Sequence, residues 1–351
     1  MNASSESGVC PTEIFIIFFY TVVIKTKTTR YFKKQSIVFL IYAIFYDTLL
    51  KTIEAYEKDI QKQSVFLKQF KKQKPLTEFQ QKNAIFTGSG DSLASAMLAE
   101  SFSDFKIKSF DPLDLLKNKH IAKTKSVYFV SISGKTISNI KVAKIAKSST
   151  AITSNPKSNL AKMCTSTVQL HSPNSDVFTA GSISFLDSAL TCLSLVKNIT
   201  IPDDKKLYKK AAINAKKSKF SNRVFVLGNS FSYPLAMYCA AKFYEILGHS
   251  AYYERIEQFS HMELFSTKKG DTVIIFEEKN SHNTQLVKNL KKIGLNVLHP
   301  QIKSKNKIEQ FLYYTYFSQM LPLFKAKKKR QLDCHFVLEK KLRNVSDTMI
   351  Y

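Results

Sequence analysis

Three short stretches rich in glycine and hydroxyl groups carry residues on which chemistry could be built. Thr87-Gly-Ser-Gly-Asp-Ser92 follows the apolar run Ala84-Ile-Phe86, Ser131-Ile-Ser-Gly-Lys-Thr136 follows Ser126-Val-Tyr-Phe-Val130, and Gly228-Asn-Ser230 follows Val224-Phe-Val-Leu227. Glycine and serine at a strand-to-helix turn let backbone N–H groups point at an anion, and the helix that follows adds a favourable partial charge. In the middle stretch Ser131, Ser133 and Thr136 offer three hydroxyls around the turn residue Gly134. The nucleotide-binding pattern GxxxxGK[ST] is absent. Taken alone this loop also reads as a plain turn capped by serine. The matching turn one βαβ unit earlier, with Gly88, Ser89 and Ser92, favours a shared anion pocket.

A second constellation lies further along the chain. Lys242 and Glu245 are three apart on one expected helix and so share a face, and His261 follows sixteen residues after Glu245. A carboxylate that moves a proton between adjacent sugar carbons, with a histidine that helps open the ring, is what aldose–ketose isomerisation requires. By itself the Lys242–Glu245 pair reads first as a surface ion pair, and a lone histidine as structural. Their value depends on what surrounds them.

These groups need a scaffold, and the chain is long enough to build one. It has 351 residues, 44% of them hydrophobic, which favours about two domains. The formal charge of +26 comes from lysine, since the only arginines are Arg30, Arg223, Arg255, Arg330 and Arg343. Specific recognition of bases or backbone phosphates usually relies on arginine, so no specific nucleic-acid role is expected; lysines spread along helices read as solvated faces. The five cysteines Cys10, Cys164, Cys192, Cys239 and Cys334 are scattered, with no CxxC pair, which argues against a zinc site and a disulfide framework and for a reducing, cytoplasmic setting.

Residues 1–46 form an apolar and basic extension, with apolar runs at 14–24 and 37–46, each short of the ~20 residues that span a bilayer. It reads as an appended segment, a membrane-associated hairpin or extra packing, and it is the sole place where membrane association is expected. Near-helical spacing of Leu50, Ile53, Tyr56, Ile60 and Val65-Phe66 predicts an amphipathic helix within 47–74. Strands and helices then alternate over 75–198. They include a strand over 107–111, a helix over 112–117, a helix over 136–148 and a strand over 151–154, with a closing helix over 185–196. A charged connection spans 199–220. The pattern restarts over 221–325 with a helix over 233–247, and 326–351 is a basic tail. Alternation of this kind implies parallel, doubly wound α/β sheets. Gly88 and Gly228 are 140 residues apart, a period that indicates duplication of one lobe.

The ordered series Thr-Gly-Ser-Gly-Asp-Ser, Ser-Ile-Ser-Gly-Lys-Thr, Leu-Gly-Asn-Ser, Lys242-Phe-Tyr-Glu245 and His261 resembles the sugar isomerase (SIS) domain family, in two tandem copies over roughly 75–345. The resemblance implies two flavodoxin-like α/β/α lobes and no cofactor or metal. Lys242-Phe-Tyr-Glu245 with Tyr233-Pro234 is similar to the isomerase half of glucosamine-6-phosphate synthase, whose glutaminase domain has no counterpart here. Glu254-Arg-Ile-Glu-Gln-Phe-Ser-His261 is more similar to the bifunctional phosphoglucose/phosphomannose isomerases. The implied activity is interconversion of glucose 6-phosphate or mannose 6-phosphate with fructose 6-phosphate through an enediol. Amino sugar phosphates, and phosphosugar binding without turnover, are the alternatives. Carried over, Ser131, Ser133, Gly134 and Thr136 hold the phosphate, and Gly88, Ser89, Ser92 and Lys242 line the pocket. Glu245 is the base. His261 opens the ring from the neighbouring subunit, so a homodimer with sites at the subunit interface is implied. Lys341, or next to it Lys340, reaches the sugar from the tail. Lys135 and Met262 depart from the family's pattern, which bears on sugar specificity.

Overall fold

The computed structural model describes residues 51–173, 177–221 and 223–351. The expected extension over 1–46 lies outside the described residues. Helix α1 (Thr52–Gln69) buries Ile53, Tyr56, Ile60 and Phe66 of the expected stripe, whereas Val65 is exposed and Leu50 lies outside the described residues. After α2 (Glu78–Lys82) come β1 (Ala84–Thr87), α3 (Asp91–Phe102), β2 (Lys108–Phe110), α4 (Pro112–Lys117), α5 (Lys119–Thr124) and β3 (Ser126–Val130). These are followed by α6 (Ile137–Ala143), β4 (Ser148–Thr153), α7 (Asn159–Met163), β5 (Ser166–Gln169) and α8 (Ile183–Val196). The five strands form a parallel sheet in the order β2-β1-β3-β4-β5.

Helix α9 (Lys205–Lys217) leads to β6 (Val224–Leu227), α10 (Ser232–Leu247), β7 (Ala251–Glu254), α11 (Ile256–His261), β8 (Thr272–Ile275), α12 (Ser281–Lys292) and β9 (Asn296–Leu298). These strands make a second parallel sheet, ordered β7-β6-β8-β9, which repeats the first four positions of the other sheet. The chain ends in α13 (Lys307–Lys328), α14 (His335–Leu338) and α15 (Lys340–Ile350).

Strand alternation sorts the core into three regions. Ile85, Val127, Phe129 and Ala151 face an outer cluster with α4 to α7, and Phe225, Leu227, Val273 and Ile275 face another with α11 and α12. The opposite faces, carrying Phe86, Val130, Val224, Val226 and Ile274, meet a single core built with α1, α3, α8, α10 and α13. Helices α8 and α13 are buried over most of their length on all sides because they lie inside this shared layer.

Local chemistry explains most boundaries. Asp111 caps α4 ahead of Pro112, Asn306 caps α13, and Gly248 ends α10 at φ +60°. Two expectations change. The helix over 136–148 stops at Ala143, because Ser148-Ser-Thr150 instead starts β4 and pairs with Ser126–Tyr128. Strands β5 and β7 are absent from the sequence reading; both are short edge strands with half-exposed side chains and so lack an apolar signature.

Asp204, just ahead of α9, is buried and accepts hydrogen bonds from Ser64 of α1 (2.6 Å) and Tyr316 of α13 (2.5 Å). Tyr316→Phe removes one of two donors to a buried carboxylate and is expected to lower stability by about 1.5–3 kcal/mol, read as a shift in the urea midpoint.

Candidate functional site

The Gly88 turn brings backbone to backbone. A Cβ at Gly88 would lie 2.9 Å from the Val130 carbonyl oxygen and 2.9 Å from the Ser92 carbonyl carbon, so only glycine lets α3 start this close to β3. Gly90 then adopts φ +58° and delivers Asp91 as the first residue of α3. In the next loop Gly134 sits at φ +63°, against Ser158, and the Ser133 hydroxyl accepts the Lys135 N–H.

Helix α10 faces α3 across the shared core and presents Lys242, whose side chain is 0% exposed. Its ammonium group donates to Asp91 Oδ2 at 2.8 Å and to Glu245 Oε2 at 2.5 Å, and lies 4.7 Å from the centre of the Tyr238 ring. Burial alone would favour the neutral amine, but the two carboxylates outweigh it and hold Lys242 well above its usual range. Burial pushes Glu245 up to about 7, against the pull of Lys242, and the negative charge of Asp91 adds to the rise. Tyr238 stacks on Phe185, donates to the Gly181 carbonyl and accepts from Gln319, which itself accepts from Gln63. A Cβ at Gly181 would come within 2.4 Å of Asp91 Oδ2, so this glycine makes room for the carboxylate.

A cavity of about 860 Å³ opens over this group. Glu245, 34% exposed, lines it together with Asp91, Ser92 and Ile132, while Lys242 lies beneath. Ile132 brings the Ser131–Thr136 loop to the cavity, although Ser131, Ser133, Gly134 and Thr136 do not themselves line it, and neither do Gly88 and Ser89. His261 is also elsewhere: its side chain is 71% exposed on α11, 3.4 Å from Glu257. Lys340 and Lys341 are exposed on α15, whose Leu342, Arg343, Ser346 and Asp347 do face the cavity. The structure thus joins Glu245, Lys242 and Ser92, and adds Asp91, which sequence reasoning passed over. An acidic residue in a helix's first turn usually does no more than complement the dipole, and only the fold shows the lysine opposite.

The two sheets differ at equivalent places. Thr87 pairs with Phe129 and Leu227 with Ile275, so Ser131 and Glu277 each stand two residues past the corresponding partner. The Glu277 carboxylate accepts the Asn229 N–H at 2.8 Å and the Ser232 hydroxyl at 2.7 Å. The second turn therefore already holds an anion of the protein's own, and only the first is built with serine at that step.

Residues 219–299 match the model of the SIS domain. No curated protein is similar enough in sequence to count as a relative. Among solved structures, glucosamine-6-phosphate deaminase from Thermotoga maritima is similar at a TM-score of 0.63 and 17% identity, over 79% of this chain and 94% of that one. The C-terminal domain of glucosamine-fructose-6-phosphate aminotransferase from Francisella tularensis gives 0.62 and 14%, over 80% and 97%. Tagatose-6-phosphate ketose/aldose isomerase from Escherichia coli gives 0.55 and 15%, over 78% and 90%. The fold is of the SIS α/β/α type. Among the described residues, no cluster of His, Cys, Asp or Glu could hold a metal ion, and no helix is long and apolar enough to cross a membrane.

Asp91→Asn takes a negative charge away from Glu245 while leaving Lys242 beside it. The pH at which Glu245 loses its proton should fall by about one unit, measured by carboxyl ¹³C NMR titration. An unchanged titration would remove Asp91 from the charge balance of the site.

Proposed function

We propose that the chain is a phosphosugar isomerase in which Glu245 moves a proton between C1 and C2 of an open-chain sugar phosphate. The observation that carries this reading is a half-buried carboxylate lining the cavity and held at 2.5 Å by a fully buried lysine, with burial raising its affinity for protons. A base working near pH 7 needs such tuning. The SIS match over 219–299 and the similarity to phosphosugar enzymes support the substrate class.

In this reading Glu245 takes the proton from C2 of the aldose while the C1 carbonyl oxygen takes one from water, giving the enediol. The same carboxyl returns its proton to C1 as the C2 hydroxyl gives its proton to water, so the ketose forms with no net change in protons. The Lys242 ammonium group stays charged and orients the carboxylate. Ser131, Ser133, Gly134 and Thr136 form the proposed phosphate cradle at the edge of the cavity, with Gly88, Ser89 and Ser92 as its neighbouring wall. Hexose 6-phosphates with C1–C2 interconversion, as in the phosphoglucose/phosphomannose isomerases, are the first substrates to test. His261 and Lys341, both exposed, remain proposed contributors, His261 toward the site of a second copy in a homodimer. The similarity to a glucosamine-6-phosphate deaminase favours an amino sugar phosphate as the second reading, distinguished by release of ammonia.

The test is conversion of glucose 6-phosphate and mannose 6-phosphate to fructose 6-phosphate in D₂O, with loss of the C2 proton followed by NMR. Glu245→Gln, whose amide oxygen can still accept from Lys242, should lower kcat by about 100-fold or more in a protein that still melts cooperatively. Because the base must be ionised, activity should fall as pH drops through about 7, the value to which burial raises Glu245. Full activity of Glu245→Gln would overturn the assignment.

A further inference from the structure

The lysines of α9 are gathered on one side of the helix. Its 13 residues carry Lys205, Lys206, Lys209, Lys210, Lys216 and Lys217, all exposed, and no acidic residue. At about 100° per residue these lysines fall within an arc of about 140°. Ile213, 44% exposed, lies inside the same arc.

The opposite side of α9 is committed to the core. Ala211 and Ala215 are buried, the Asn214 amide donates to Tyr313 Oη at 2.7 Å, and the Tyr208 and Tyr316 rings meet with centroids 5.2 Å apart. These contacts with α13 fix the rotation of the helix, so the lysine face stays outward. No apolar face of α9 is left to enter a lipid surface.

Several lysines on other helices meet carboxylates. Lys58 pairs with Glu54 at 2.7 Å, Lys82 with Glu78 at 3.4 Å, and Lys327, at the end of α13, with Glu57 at 2.6 Å. Among the described residues no carboxylate pairs with a lysine side chain of α9. Of the two aspartates just ahead of the helix, Asp204 is buried and accepts from Ser64 and Tyr316, while Asp203 accepts the Lys205 backbone N–H at 3.5 Å. Lysines four apart, such as Lys205 and Lys209 or Lys206 and Lys210, repel one another. Beyond the helix Lys219 is exposed, and the Lys325 ammonium group stands 5.2 Å from the centre of the Phe220 ring, so further positive charge adjoins this end.

We propose that this face of α9 is a docking surface for the phosphate backbone of double-helical nucleic acid. From Lys205 to Lys217 the row is about 18 Å long, over which a duplex presents about ten phosphates, one per ~1.7 Å of axis. Lysine holds a phosphate as a point charge and lacks the fork with which arginine reads bases, so the contact is independent of sequence. Single strands are held by aromatic rings on which bases stack, whereas the large apolar side chain in this arc is Ile213. No residue of α9 lines the Glu245 cavity, and the assignment does not depend on the isomerase reading.

Binding of labelled duplexes of about 20 bp, one DNA and one RNA, to the full chain is followed by fluorescence anisotropy between about 50 and 200 mM KCl. The wild type should bind both with a Kd of about 10 μM or tighter near 100 mM salt. Lys206→Gln/Lys210→Gln/Lys217→Gln should bind at least about tenfold more weakly, with a salt slope smaller by about one unit per lysine. A control of equal charge change on α12, Lys288→Gln/Lys291→Gln/Lys292→Gln, should lose less than about threefold. Both variants should melt near the wild type, because glutamine and lysine have similar helix propensities. No binding of either duplex by the wild type, wild-type affinity in the α9 variant, equal losses in the two variants, or tighter binding of a single strand than of either duplex would each overturn the assignment. So would sedimentation of the wild type with vesicles of phosphatidylcholine and phosphatidylserine that the α9 substitutions abolish while duplex affinity is unchanged, an outcome that puts an acidic lipid surface there instead.

Discussion

A charged lysine that is fully out of water constrains everything around it. Moving an ammonium group into a protein interior costs several kcal/mol unless opposite charges and hydrogen bonds replace the lost water. Lys242 obtains them from Asp91 on α3 and Glu245 on its own helix, with the Tyr238 ring face below. Helices α3 and α10 must therefore approach closely, and Gly181 must carry no side chain where Asp91 turns inward. Tyr238 in turn needs partners, found in the Gly181 carbonyl and in Gln319. One buried charge thus ties together α1, α3, α10 and α13, and it turns the Glu245 and Asp91 carboxylates toward the cavity.

Much of this architecture was legible in the sequence because it depends on local patterns. The apolar strand runs, the glycine turns at Gly88, Gly134 and Gly228, the capping residues and the spacing of α1 all follow from short-range rules, and they place both parallel sheets. The edge strands β5 and β7 were not legible, since a half-exposed strand of four residues carries no periodic signal. Within the site, Lys242 and Glu245 were readable as an i,i+3 pair. What turns a surface-type pair into a tuned one is burial, with Asp91, 151 residues earlier, adding to it. A long-range electrostatic contact leaves no mark on composition or periodicity. The tail shows the same limit from the other side: its lysines drew attention by charge, while the residues it turns to the cavity are Leu342, Arg343, Ser346 and Asp347.

The shared strand order of the two sheets makes their difference at one step informative. A turn rich in backbone N–H groups attracts an anion wherever it occurs. In the second sheet Glu277 meets that demand internally, with burial pushing its carboxyl up even as Ser232 and Asn229 donate to it. In the first sheet the equivalent residue is Ser131, which brings no charge of its own. The fold repeats, but the electrostatics at this step do not, and the uncharged turn is the one beside Ser92 and Ile132 at the border of the Glu245 cavity.

The charge balance also decides which groups can carry protons. Lys242 is held well above its ordinary range by two carboxylates, so it stays an ammonium ion at any working pH and acts as a fixed field. Tyr238 is pushed up by burial and is committed to the Gly181 carbonyl, which removes it as a donor. Glu245 alone in this cluster has an affinity near neutrality and an open path to the cavity.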